Sequence, residues 1–226
     1  KLAYLESALK GPKRAFDFAE LVDLNVKFPA HGSIEERYYK TITDRDIYYL
    51  DPLEAIAPKL IHEVKGGGWA VTDWWIDDKG LLIQERLSVN ESKIYSLSLV
   101  TGQKKVIGPV SDMEPVSSGG AQFSNDGQYV FFVTDYQNEY RRLARMRPDG
   151  TEIQYLTTEI PWDVNGLTIE ETGNRALFSV NESGITKVYL LNTETLSYQP
   201  INALPVGLLG SFSWRDNSDE FFFSFS

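Results

Sequence analysis

His31 and His62 are the two imidazoles of this 226-residue chain, and cysteine is absent. Nucleophilic catalysis needs a Ser or Cys, a base to take its proton and a third group to orient the base. Neither histidine stands in such a motif, and the G-x-S-x-G elbow is missing. Gly210-Ser211-Phe212-Ser213 comes near it with the serine misplaced. No residue is assigned a catalytic role on this basis. Two histidines without paired spacing argue against zinc. Asp77-Asp78 and the stretch from Asp216 to Glu220 lack the spacing of a calcium loop and read as solvated hairpin turns. Gly66-Gly67-Gly68 lacks the Lys-Ser/Thr of a phosphate loop and reads as a flexible link. No metal ligand and no cofactor-binding residue is assigned.

The adjacent carboxylates Glu35-Glu36 and Glu170-Glu171 resemble a general acid and base, but neighbours on a strand point to opposite faces and cannot converge on one bond. Glu170-Glu171 reads as part of a turn; Glu35-Glu36, ahead of the first strand, reads as solvated surface, the alternative being a helical turn that faces a substrate amine. Asn90-Glu91-Ser92 and Asn181-Glu182-Ser183 fit the glycosylation sequon. They lie in matching Ser-Val-Asn-Glu-Ser copies and read as equivalent hairpin turns. Trp69, Trp74, Trp75, Trp162 and Trp214 read as core between packed sheets rather than a ligand platform.

The elements that carry these residues are clearest between Gly119 and Thr157. Four short runs (121–124, 129–134, 142–147 and 153–157) are rich in Tyr, Phe and Val and are separated by turn residues, which predicts strands. Asn125-Asp126-Gly127 and Pro148-Asp149-Gly150 offer the positive-φ positions of tight hairpins. The unit is thus a four-stranded antiparallel meander. Copies lie on both sides, and aligning their first turns on Gly80, Gly127, Gly173 and Ser218 gives steps of 47, 46 and 45 residues. A four-stranded repeat of this length is the mark of a β-propeller blade. The predicted fold is all-β, a partial propeller with blades at about 37–62 (incomplete), 69–108, 119–157, 165–201 and 209–226 (incomplete). Residues 1–36 form a separate lead-in, two short helices or irregular chain, because Gly11-Pro12 interrupts its apolar pattern.

Two arrangements fit this count: the incomplete first and last blades pair to close a small ring, or the chain is a fragment of a larger propeller. The apolar run 221–226, with no turn or cap after it, favours the fragment. With 22 basic against 32 acidic residues the net charge is −10, which disfavours nucleic acid and anionic membranes as partners. No run is long and apolar enough to span a bilayer. The chain starts at Lys1 without a visible signal peptide, and a periplasmic or extracytoplasmic place is expected ahead of a cytoplasmic one.

Phe123-Ser124-Asn125-Asp126-Gly127-Gln128-Tyr129-Val130 resembles the F-S-P-D-G repeat of TolB-type propellers, with Asn125 where that repeat usually has Pro. The runs 134–143, 160–164, 179–184 with 188–191, and 204–210 resemble, in order, the propeller of prolyl oligopeptidase-family serine peptidases in the acylaminoacyl and dipeptidyl peptidase branch. The resemblance covers about 69–226 and implies a bacterial hydrolase in which the propeller gates access of short peptides to an α/β-hydrolase domain. It implies that domain as partner, with the catalytic residues beyond Ser226, so this chain is silent by itself. The alternative is a stand-alone TolB-like propeller acting as a protein-interaction scaffold. Substrate-contacting residues stay unassigned and homo-oligomerisation stays open.

Overall fold

The computed structural model describes residues 46–50, 53, 57–64, 68–216 and 218–226. The lead-in 1–36, residues 37–45 of the expected incomplete first blade and the link at Gly66 and Gly67 lie outside them. The chain divides into two compact units, 1–69 and 70–226. In the first, β1 (Ile47–Tyr49) and β2 (Lys59–His62) pair antiparallel, and Asp46 Oδ1 accepts the Val64 amide at 3.3 Å.

The second unit holds three four-stranded sheets and one two-stranded sheet, all antiparallel, with no helix among the described residues. The first sheet is β3 (Trp69–Trp74), β4 (Gly80–Arg86), β5 (Ser92–Ser98) and β6 (Lys104–Val106). The second is β7 (Ser118–Phe123), β8 (Val130–Thr134), β9 (Arg142–Met146) and β10 (Gln154–Tyr155). The third is β11 (Val164–Ile169), β12 (Arg175–Glu182), β13 (Ile185–Asn192) and β14 (Tyr198–Pro200). The fourth is β15 (Leu209–Trp214) with β16 (Phe221–Phe225). Within each sheet the strands follow chain order, so each is one up-and-down blade of a β-propeller.

The second strands explain why the blades stack. All five residues of β8, Val-Phe-Phe-Val-Thr, are buried, because both faces of the sheet are covered. Val130 and Phe132 join Ala144 and Met146 against Leu82, Ile94 and Ile107 of the first blade. Phe131 and Val133 join Leu143 against Val164, Ala176, Phe178, Val180 and Leu191 of the third. Strand periodicity does the sorting: alternate side chains go to alternate neighbours. The third blade repeats this, sending Leu177 and Val188 towards Leu209, Phe212 and Trp214. Each such side chain contributes about 1.5–3 kcal/mol by leaving water.

The first turn of every blade closes in one way. Trp75, Ser124, Glu170 and Arg215 each donate their amide to the carbonyl five residues on, that of Gly80, Tyr129, Arg175 and Glu220. A second bond, from the amide of Asp78, Gly127 or Gly173 back to the first turn residue, completes it in the three full blades. These three residues have φ of 58°, 66° and 75°. The equivalent of Gly127 in the first blade is therefore Asp78 and not Gly80, which corrects the first repeat step from 47 to 49 residues (78 to 127). Gly80 is a glycine for another reason: a Cβ there would lie 2.2 Å from the Trp75 ring.

Two of these turns carry the same side-chain bond with its ends exchanged. In the second blade the Ser124 hydroxyl donates to Asp126 at 2.6 Å. In the third, Thr172, at the position of Asp126, donates to Glu170, at the position of Ser124, at 2.9 Å.

Candidate functional site

In a propeller, the innermost strands and the loops at the blade ends are what a ligand meets. The innermost strands here are β3, β7, β11 and β15. β7, β11 and β15 each carry an extra residue, with the register shifting between Gly119 and Gln122, between Val164 and Gly166, and between Gly210 and Ser213. The apolar run 121–124 predicts the second blade's first strand from Ala121; the bulge takes Gly119 and Gly120 into it. Gly120 and Ser211 occupy the same place and have φ of 64° and 52°. Ser211, from the elbow-like run, is thus an exposed bulge residue, and the Ser213 hydroxyl donates to the Trp214 carbonyl at 3.5 Å.

Side chains at one repeat position tie these strands together. Asp73 Oδ2 accepts the Phe123 amide at 2.7 Å. Gln122, at the position of Asp73, accepts the Ile169 amide at 2.9 Å and donates Nε2 to the Leu167 carbonyl at 3.4 Å. At the third junction Thr168 stands in that place and is too short for this bond. There Trp214, at the position of Ile169, donates Nε1 to the Thr168 carbonyl at 3.2 Å. The sequence gives no sign of Asp73 and Gln122 as ties, and marks Trp214 only as core. Aligning the turns on Asp78 would have put Asp73 and Gln122 in one column.

At the opposite end of the sheets, the run 134–143 forms a braced loop. Asp135 Oδ1 accepts the Ser117 amide at 2.8 Å. The Tyr155 hydroxyl and Asn138 Nδ2 both donate to the Tyr136 carbonyl at 2.8 Å. Asp163, from the run 160–164, accepts the Arg141 amide at 2.8 Å. Arg142 is buried, donates to the carbonyls of Thr157 and Ile160 and lies 5.2 Å from the Tyr140 ring. These motif residues hold blade connections together. Nearby, Ser92, Ser118 and Thr134 form a buried hydroxyl chain: Ser92 Oγ donates to the Ser118 carbonyl and accepts its amide, and Ser118 Oγ lies 2.8 Å from Thr134 Oγ1. Its partners are backbone groups and one another, so nothing there activates a nucleophile.

The remaining sequence candidates are dispersed. His31, Glu35 and Glu36 lie outside the described residues; His62 ends β2 opposite Ile47. Asp77 accepts the Lys79 amide at 3.1 Å, which holds its carboxyl below the usual range. Glu170 is buried and takes Arg175 Nη2 at 2.6 Å, and this bond lowers its carboxyl pKa, whereas Glu171 is exposed. Arg175 also reaches Asp219 at 2.8 Å and lies over the Trp214 ring. Around it is a shallow pocket of about 330 Å³ between Glu170, Glu171, Thr172, Arg215 and Ser218.

Two expectations change. Asn90 sits in the loop between β4 and β5, but Asn181 lies within β12, and Ser183-Gly184 make the turn with φ of 53° and 86°. The two sequons are therefore not equivalent hairpin turns. Trp162 and Trp214 pack in the core as expected, whereas Trp74 is 41% exposed.

No family model matches the chain, and no curated protein does. Solved structures do. A prolyl endopeptidase aligns over 88% of this chain and 29% of its own, with TM-score 0.64 and 14% identity. TolB from Acinetobacter baumannii aligns over 69% and 37%, TM-score 0.55, 20% identity. A TolB from Agrobacterium tumefaciens aligns over 69% and 55%, TM-score 0.55, 17% identity. The chain thus spans between about a third and about half of their lengths, and at these identities the likeness is one of fold: the all-β propeller expected from the repeat.

Proposed function

We propose that this chain is the non-catalytic propeller part of a prolyl oligopeptidase-like serine peptidase, where it restricts a separate α/β-hydrolase domain to short peptides. The observation that carries this reading is the 88% of the chain that aligns with a prolyl endopeptidase, against 69% for either TolB. That enzyme's inter-domain dynamics have a role in catalysis and specificity. Bonds running from blade to blade support a filter, which must keep its aperture while a peptide presses on it. The charge of −10 favours peptides with a basic group or free amino terminus, as a mild preference screened by salt.

The gene sequence downstream of the Ser226 codon tests the proposal. A G-x-S-x-G sequence followed by Asp and His in a strand–helix alternation supports it. Closing strands and a stop codon support a TolB-like interaction scaffold instead. The purified 226-residue chain is expected not to hydrolyse chromogenic dipeptide or acyl-amino-acid substrates, and turnover by it alone refutes the proposal.

A further inference from the structure

We propose that Asn165-Gly166, in the innermost strand β11, is a site of spontaneous modification in the folded protein, where Asn165 converts to aspartate and isoaspartate. It is the one Asn-Gly pair in the sequence. Asn165 is the residue that the β11 register skips, between Val164 paired to Val180 and Gly166 paired to Ser179. A bulge of this kind leaves its extra residue unpaired and disturbs the adjoining ladder bonds. Asn165 is exposed, and among the described residues nothing hydrogen-bonds its side-chain amide. Other asparagines are held: Asn138 donates to Tyr136, Asn181 accepts from Gly184, and Asn192 accepts from Glu194 and Thr195. At Gly166 no side chain shields the backbone nitrogen, and even a built Cβ would meet nothing within 4 Å.

The Gly166 nitrogen, giving up its proton to hydroxide, attacks Asn165 Cγ. The new C–N bond closes a five-membered succinimide as the Cγ–Nδ2 bond breaks, and ammonia leaves with a proton from water. Water then opens the ring at either carbonyl, giving aspartate or isoaspartate. No oxidant, reductant or other protein is consumed. The product places a carboxylate on the innermost strand, and the isoaspartyl form adds a methylene to the backbone where the strand already carries an extra residue.

The test is to hold the folded chain at mildly alkaline pH, digest it and follow each asparagine by mass spectrometry, with isoaspartyl methyltransferase labelling as a second readout. A synthetic peptide of residues 160–170 gives the unrestrained rate. The peptide containing Asn165 is expected to gain one mass unit and to label, while those containing Asn138, Asn181 and Asn192 do not. Both signals should be lost in Asn165→Gln and be weaker in Gly166→Ala. An unmodified Asn165 in the folded chain, after the synthetic peptide has converted fully, overturns the proposal.

Discussion

The Asp73 carboxylate of the first blade accepts the Phe123 amide of the second at 2.7 Å, across 50 residues of sequence. A half-buried hydrogen bond to a charged acceptor is worth about 1–2 kcal/mol once solvent exposure is allowed for. Asp73→Ala should destabilise by that amount in urea titration, and Asp73→Asn, which keeps an acceptor, by less. Gln122→Ala should cost about 1 kcal/mol, since it frees the Ile169 amide. If Asp73→Ala leaves the midpoint unchanged, the strands are joined by apolar packing alone.

Blades also meet at their turns. At Gly173, with φ 75°, a Cβ would stand 2.1 Å from Asn125 Cβ. Gly184 has φ 86° but open space around it. Gly184→Ala should therefore cost only the left-handed backbone, about 1–2 kcal/mol. Gly173→Ala should cost at least about 2 kcal/mol more through overpacking. Thermal melts of the two variants separate these contributions, and Asn125→Gly should restore part of the loss in Gly173→Ala but none in Gly184→Ala.

Glu170 titrates below its usual 4.5 because Arg175 bonds its charged form. A carboxyl whose folded pKa is depressed stabilises the fold above the unfolded pKa, and this is lost as pH falls through the folded value. Glu170→Gln should lose about 1–2 kcal/mol at neutral pH, a figure held down by the partial exposure of Arg175. The gap to the wild type should close as pH falls below 4.5. A gap that stays constant across an acid titration would show that the ion pair contributes nothing.

Phe178 stacks on Tyr189 with centroids 4.9 Å apart and meets Tyr198 edge-on at 5.3 Å. Truncating it removes a buried ring between two blades, and Phe178→Ala should cost about 3–5 kcal/mol. Because each blade touches only its neighbours, amide exchange should rise first in the second and third blades, and uniform loss of protection would argue for one cooperative unit.

The sequence made the repeat legible because turns such as Asn125-Asp126-Gly127 leave a fixed trace between apolar runs. It misled where two causes produce one residue type. Gly80 reads as a turn glycine, but the Trp75 ring requires it, and the left-handed position belongs to Asp78. The ties made by Asp73, Gln122 and Trp214 left no pattern because three residue types meet one need: closing a polar backbone group at a blade junction. The roles of Arg142 and Arg175 had no local signal, since nothing near them in sequence shows which carbonyls or carboxylates the other strands bring to them.

The exchanged pairs Ser124 with Asp126 and Glu170 with Thr172 have a consequence for anyone recombining these blades. What passes from one copy to the next is a link and not a spelling. Grafting one letter, such as glutamate at 124, would set two acids against each other, whereas transplanting both residues together keeps the clasp. Copies governed by such a rule drift apart in couples, and two of them can share a shape long after their alphabets have ceased to agree.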